Sequence, residues 1–163
     1  DLQKAASMRF SLLGDHIETA DSYHMLGHAQ QETGNLSGSL ESLIKASRLM
    51  KEFHGDHPDT AACFYSLARV YIKIKDKKSA VEALRVSAQM NSKVLGEHKS
   101  TASSYYLLGA LLFEKGDLQE AEEALKEASE LKKKLLSDSH PDSIESLQLL
   151  NDVRIALAAA KHP

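Results

Sequence analysis

Apolar residues fall along this chain in helical stripes, and the stripes recur. Phe64, Leu67, Ala68 and Tyr71 stand at i, i+3, i+4 and i+7, which at roughly 100° per residue places them on one face of a helix. A second stripe of Ala80, Leu84, Ser87, Ala88, Asn91 and Leu95 lies in a run from Lys77 to Leu95 without Gly or Pro, and predicts a second helix. Between them is Lys75-Asp76, matched elsewhere by Gly34-Asn35 and Gly116-Asp117, short breaks that end one helix and cap the next. Helices joined by so short a link run antiparallel.

Sliding the chain by 41 residues aligns Leu26, Leu67 and Leu108 in one column and Gly27, Ala68 and Gly109 in the next. Tyr23, Phe64 and Tyr105 form an aromatic column, Ser39, Ala80 and Ala121 a small one, and Leu43, Leu84 and Leu125 an apolar one. The small columns predict that Gly27, Ala68 and Gly109 on the first helix face Ser39, Ala80 and Ala121 on the second, where large side chains would wedge the pair open.

The connector repeats as well. Gly14-Asp15-His16-Ile17-Glu18-Thr19-Ala20, Gly55-Asp56-His57-Pro58-Asp59-Thr60-Ala61 and Gly96-Glu97-His98-Lys99-Ser100-Thr101-Ala102 share one pattern, and Ser139-His140-Pro141-Asp142-Ser143 is a fourth copy. Pro58 holds His57 in extended geometry, so the helix starts no earlier than Pro58, with Asp59 favourably placed in its first turn. The connector reads as a helix-start device.

A fixed long period marks a repeat array, which works by presenting a surface. Residues 1–163 read as one such array. Residues 1–13 are the second helix of an incomplete repeat, since Leu2, Ala5, Met8 and Leu13 match Leu84, Ser87, Met90 and Leu95; full repeats occupy 14–54, 55–95 and 96–138. The closing stretch, 139–163, carries one helix with Leu150 in the Leu108 column and Asn151 in the small column.

Charge and composition narrow the function classes. Lys plus Arg total 20 against 23 for Asp plus Glu, a formal charge of -3, which gives no electrostatic case for nucleic acid or an anionic membrane. No apolar run approaches the roughly 20 residues of a membrane span. The single cysteine, Cys63, cannot form an internal disulfide and points to a reducing, cytoplasmic setting. A chain opening at Asp1 reads as an excised piece of a longer protein.

Little in the sequence suggests chemistry. The in-register His16, His57, His98 and His140 sit one per repeat, about 10 Å or more apart, too far to share an ion. His24 and His28, at i and i+4 with Asp21 in reach, have metal-binding spacing but no specified third ligand and no intervening Glu. No Gly-rich phosphate loop is present, and Met8, Met50 and Met90 read as gap-fillers at helix contacts. The chain is therefore read as a non-enzyme, with no metal and no cofactor.

The succession Phe64-Leu67-Ala68-Tyr71-Ala80-Leu84-Ser87, repeated as Tyr105-Leu108-Gly109-Ala121-Leu125-Ala128, resembles the tetratricopeptide repeat. The period, about seven residues beyond the usual 34, and the Gly-Asp-His-Pro-Asp-Thr-Ala connector are similar to the kinesin light chain subclass, in which the second helix is lengthened. That resemblance implies an all-α fold, a right-handed α-α superhelix (solenoid) of antiparallel helix pairs, with the first helices lining a concave groove. It also implies a protein-interaction scaffold that binds a protein or peptide segment in that groove. Kinesin light chain repeats carry paired asparagines before the first-helix Leu, whereas this chain has His24-Met25, Tyr65-Ser66 and Tyr106-Leu107. The carboxylate clamp of chaperone-binding repeats is not rebuilt by Arg69 and Lys73.

If Phe64, Leu67, Ala68 and Tyr71 face the partner helix, the opposite stripe faces the groove. That selects His24 and His28 in the first repeat, Tyr65, Arg69, Ile72 and Lys73 in the second, and Tyr106 and Phe113 in the third as partner-binding residues. Aromatic anchors beside an Arg are what interfaces favour. The alternative is a structural spacer or self-association segment, acting through exposed apolar residues of the terminal helices near Leu2 and Ile155.

Overall fold

The computed structural model describes residues 2–14 and 16–161; Asp15 of the first connector lies outside them. Among the described residues all regular structure is helical: α1 (Leu2–Leu13), α2 (Ile17–Glu32), α3 (Leu36–Phe53), α4 (Pro58–Lys73), α5 (Lys77–Leu95), α6 (Lys99–Lys115), α7 (Leu118–Leu136) and α8 (Pro141–Lys161). The chain divides into two compact units, Asp1–Ala83 and Leu84–Pro163, with the boundary inside α5.

In unit 1, α1 packs on α2, α2 on α3, and α3 on α4. The core comprises Ala20, Leu43, Ala46, Leu49, Met50, Cys63, Leu67 and Val70, with Tyr23, Phe64 and Tyr71 laid against it. The small column explains how α2 and α3 approach so closely. A Cβ added to Gly27 would stand 2.6 Å from Leu43 Cγ, and the Ser39 hydroxyl, buried beside it, donates to the Gly27 carbonyl at 2.7 Å.

Unit 2 repeats the device. A Cβ on Gly109 of α6 would meet Leu125 Cγ of α7 at 2.6 Å, and Leu125 and Leu112 are fully buried. The remainder of α5 joins this unit through Ser87 and Asn91, which bond to Ser104 Oγ at 3.0 and 3.2 Å, and through an Arg85–Glu120 ion pair to α7.

A seam between each second helix and the next first helix follows a matching rule. Arg9 donates to Ser22 Oγ at 2.7 Å, and Asn91 reaches Ser104 from the corresponding register. At the same place in unit 1 the pair is Met50 and Cys63, both inside the apolar core. Polar meets polar and apolar meets apolar, because an unmatched polar group in this seam would be buried without a bond.

Each connector histidine is an N-cap. His16, His57 and His98 are extended, with φ between -147° and -136°, and each ring Nδ1 accepts the backbone N–H two residues on at 3.1–3.3 Å. His140 does the same for Asp142 at 3.1 Å. The glycine before the cap holds a left-handed backbone, as at Gly55 with φ 63°, which turns the chain from one helix into the next. Histidine is not a favoured cap type, so the imidazole's role was hidden in the sequence even though the helix start was not. Replacing His98 by Ala is expected to cost about 1 kcal/mol in urea unfolding, and His98→Asn to restore most of it, since Asn supplies an equivalent acceptor.

The turn between α4 and α5 differs from its counterparts. Gly34 and Gly116 reverse the chain with φ of 78° and 86°, whereas the same job falls to Lys75 at φ 64°, a conformation that costs a side-chain-bearing residue roughly 1–2 kcal/mol.

Candidate partner-binding faces

Within unit 1, α4 packs against α3, with α2 beside it, which leaves an open strip along its length. On α4 that strip holds Arg69 and Lys73, exposed, with Tyr65 and Ile72 half-buried beside them. These four side chains lie at i, i+4, i+7 and i+8 and so share one face over two turns. Lys73 occupies the last turn, where a cation is favoured by the helix carbonyls.

On α2 the corresponding positions are used internally. His24 Nε2 and His28 Nε2 lie 3.3 and 3.0 Å from the Ser66 hydroxyl of α4, with the two imidazoles 4.9 Å apart between centroids. The one Ser66 proton is donated to the Ala62 carbonyl at 3.0 Å. Both histidines therefore donate to Ser66 through Nε2–H, which fixes their tautomers and leaves the hydroxyl without a base. This trio ties α2 to α4; it is not a nucleophile with its base. Burial chiefly, with the neighbouring His28 adding to it and Asp59 opposing, lowers the His24 pKa from 6.5 to about 4. Gln31, one turn further along the same stripe, is 3% exposed and likewise turned into the fold.

Of the ring nitrogens of His24 and His28, both Nε2 atoms are engaged with Ser66. The one group of three suitable ligands among the described residues lies elsewhere, in the α3–α4 loop. Cys63 is buried and its thiol is pushed up to about 12 by burial, so it is not a nucleophile near neutral pH.

Within unit 2, Tyr106 is half-buried and engaged. The Lys132 ammonium of α7 stands 3.7 Å over its ring centroid, a cation–π contact. Its phenol is pushed up to about 12, first by burial and then by its hydrogen bond to the Glu145 carboxylate and the negative charges of Glu145 and Asp142. Lys132 is 8% exposed; burial lowers its pKa while Asp142 and Glu145 oppose that. Lys132 occupies the seam column of Arg9, Met50 and Asn91, and its charge is met by the Tyr106 ring and by Asp142 and Glu145 of α8. Beside it a cavity of about 180 Å³ is lined by Lys99, Ser103, Lys132, His140 and Asp142 among others. Phe113, half-buried near the end of α6, carries no such engagement among the described contacts.

The selected residues thus separate into two kinds. His24, His28 and Tyr106 hold helices together, while Arg69 and Lys73 are exposed and Tyr65, Ile72 and Phe113 are half-buried. Ser66 and Lys132 were not selected; Ser66 breaks the apolar character of its column, where it stands with Met25, Leu107 and Leu149, whereas Lys132 shares a mixed column with Arg9, Met50 and Asn91. For Ser66, a polar residue in a packing column was the available signal.

Two tetratricopeptide repeat family models match the chain, over residues 31–93 and 101–142. Among solved structures, the TPR-like repeats of a Podosopora anserina protein assigned as a kinesin light chain are 25% identical, with a TM-score of 0.75 over 99% of this chain and 86% of that one. RapI, in its apo form, is 20% identical with a TM-score of 0.77 over 96% of this chain and 56% of its own. BtubC (BKLC) of P. vanneervenii is 14% identical with a TM-score of 0.72, covering 95% of this chain and 62% of that one. The last two are likenesses of fold alone. No curated protein matches the chain, and among the described residues no helix is long and apolar enough to cross a membrane.

Proposed function

Because the chain belongs to the tetratricopeptide repeat family, with repeats of the kinesin-light-chain-like type, we propose that it is a non-catalytic scaffold whose first-helix faces bind a protein or peptide partner. The observation that carries this reading is the α4 strip: exposed Arg69 and Lys73 flank half-buried Tyr65 and Ile72, a composition the helix packing does not require. Aromatic and aliphatic anchors beside an Arg form the kind of cluster in which binding energy concentrates. Phe113 offers a comparable apolar anchor in unit 2. A protein partner rather than nucleic acid is supported by the formal charge of -3, and a reducing, cytoplasmic setting by the lone buried thiol.

Capture of partners from a native lysate, followed by affinity measurement with the retained protein, tests the proposal. Tyr65→Ala with Arg69→Ala is expected to weaken binding by at least tenfold, because a central aromatic and an Arg each contribute on the order of 1–2 kcal/mol. Unchanged affinity in the double variant removes the assignment.

A second reading, self-association through the terminal helices, is favoured by one observation. Met8, Phe10, Leu12 and Leu13 of α1 are 45–78% exposed, as are Leu147 and Ile155 of α8 at 51% and 69%. A mass by light scattering that rises with concentration supports this reading, and a constant monomer mass removes it.

A further inference from the structure

The loop between α3 and α4 brings together three side chains that the repeat pattern does not require together. His54 is the C-cap of α3, His57 the N-cap of α4, and Asp59 stands in the first turn of α4. Their ligand atoms all lie within 4.8 Å of one another. The two imidazole centroids are 4.6 Å apart, and Asp59 Oδ2 is 3.4 Å from His57 Nδ1, with both side chains open to solvent at 45% and 62% exposure. We propose that this loop binds a divalent transition-metal ion of the zinc type, through one nitrogen of each histidine and a carboxylate oxygen of Asp59.

The repeat register shows that the trio is peculiar to this loop. Positions matching His54 in the other connectors are Leu13, Leu95 and Ser137, and those matching Asp59 are Glu18, Ser100 and Asp142. Capping alone needs only the middle histidine, as His98 demonstrates with Leu95 and Ser100 around it. His54 therefore adds something that starting the helix does not demand. Two imidazoles and one carboxylate suit Zn²⁺, Ni²⁺ or Cu²⁺ rather than Mg²⁺ or Ca²⁺, which take oxygen ligands, and the exposed geometry leaves the remaining coordination positions to water.

The His57 tautomer is already correct for the ion. Nδ1 accepts the Asp59 N–H at 3.2 Å, so the ring proton sits on Nε2, and a metal approaching Nδ1 takes the same lone pair without moving a proton. Binding replaces the cap bond and frees the Asp59 amide, a loss that lowers the affinity by about fivefold. The partial positive charge at the start of α4 also opposes the cation, and Asp59 offsets it. Of the nearby charges, Asp56 is held by Lys51 at 2.5 Å. Both effects hold the affinity below that of a closed structural zinc site.

Isothermal titration of the untagged chain with zinc chloride near neutral pH tests the proposal, with ¹⁵N spectra recorded alongside. One saturable equivalent is expected, weakened at least tenfold by His54→Ala and by His57→Asn, the second of which keeps a cap acceptor while removing the imidazole ligand. His98→Asn, which makes the same change at a connector lacking the trio, is expected to leave the affinity unchanged. The Asp59 amide resonance is expected to move on zinc addition as its N–H leaves Nδ1. Absence of saturable binding up to about 1 mM, or binding that survives His57→Asn, overturns the proposal.

Discussion

Replacing Gly109 by Val is expected to cost about 3 kcal/mol in urea unfolding. The first atom added, Cβ, would already lie 2.6 Å from Leu125 Cγ and 3.1 Å from the Leu125 backbone nitrogen, and Leu125 is fully buried. Two further methyl groups then force α6 and α7 apart, an overpacking cost of roughly 1–3 kcal/mol or more, against which the helix propensity gained over Gly returns well under 1 kcal/mol. The double variant Gly109→Val with Leu125→Ala is the discriminating measurement. Leu125→Ala alone should cost about 2–5 kcal/mol by leaving a cavity, but in the double variant the added methyl groups refill part of that cavity. The pair should therefore be less destabilising than the sum of the single changes by at least about 1 kcal/mol. Strict additivity would show that the Gly column does not set the helix separation.

Acidification is expected to destabilise unit 1 through His24. Its pKa falls from 6.5 to about 4 in the fold, so between those values the unfolded chain holds the extra proton and the folded chain does not. The number of protons bound is greater in the unfolded state, and stability rises with pH across this window. The contribution is intact above pH 6.5 and is lost progressively as pH falls toward 4. At about 1.4 kcal/mol for each pH unit the full effect would be about 3.5 kcal/mol, and screening of a ring that is only partly enclosed brings it to about 2. His24→Gln keeps a donor for Ser66 without the titrating ring. Its stability should fall less steeply than that of the parent chain from about pH 7 to about pH 4, with a difference of about 2 kcal/mol in denaturant unfolding. Parallel curves would exclude His24 as the source.

What could be read in the sequence was what is encoded locally. The 3.6-residue stripes, the Gly-Asn and Gly-Asp breaks, and the proline after His57 each act within a few residues, so the helices ending at Phe53, Leu95 and Leu136 were foreseeable. The small columns were legible for the same reason, because a residue type repeated at a fixed register implies one packing requirement. The fates of His24, His28 and Tyr106 were not. Their partners are Ser66, 38–42 residues away, and Lys132 and Glu145 on other helices, and nothing in a single stripe shows which neighbouring helix consumes it. The groove stripe of α2 looked as open as that of α4; Ser66, one small polar residue in an otherwise apolar column, made the difference.

The connector changes meaning in the same way. As a string it is the most regular feature of the chain, and its histidines invite a chemical role. In the fold each ring caps a helix through one backbone N–H, and the departures from regularity, His54 in one loop and Arg69 on one helix, are where the proposed ion and partner sites lie.

Site-specific photo-crosslinking distinguishes partner binding on the first-helix face from binding elsewhere on the chain. A benzophenone side chain placed at Arg69, on the open strip of α4, should cross-link a partner retained from the lysate, whereas the same group at Ile44, exposed on α3, should not. Cross-linking from Ile44 with none from Arg69 would contradict partner binding on the first-helix face.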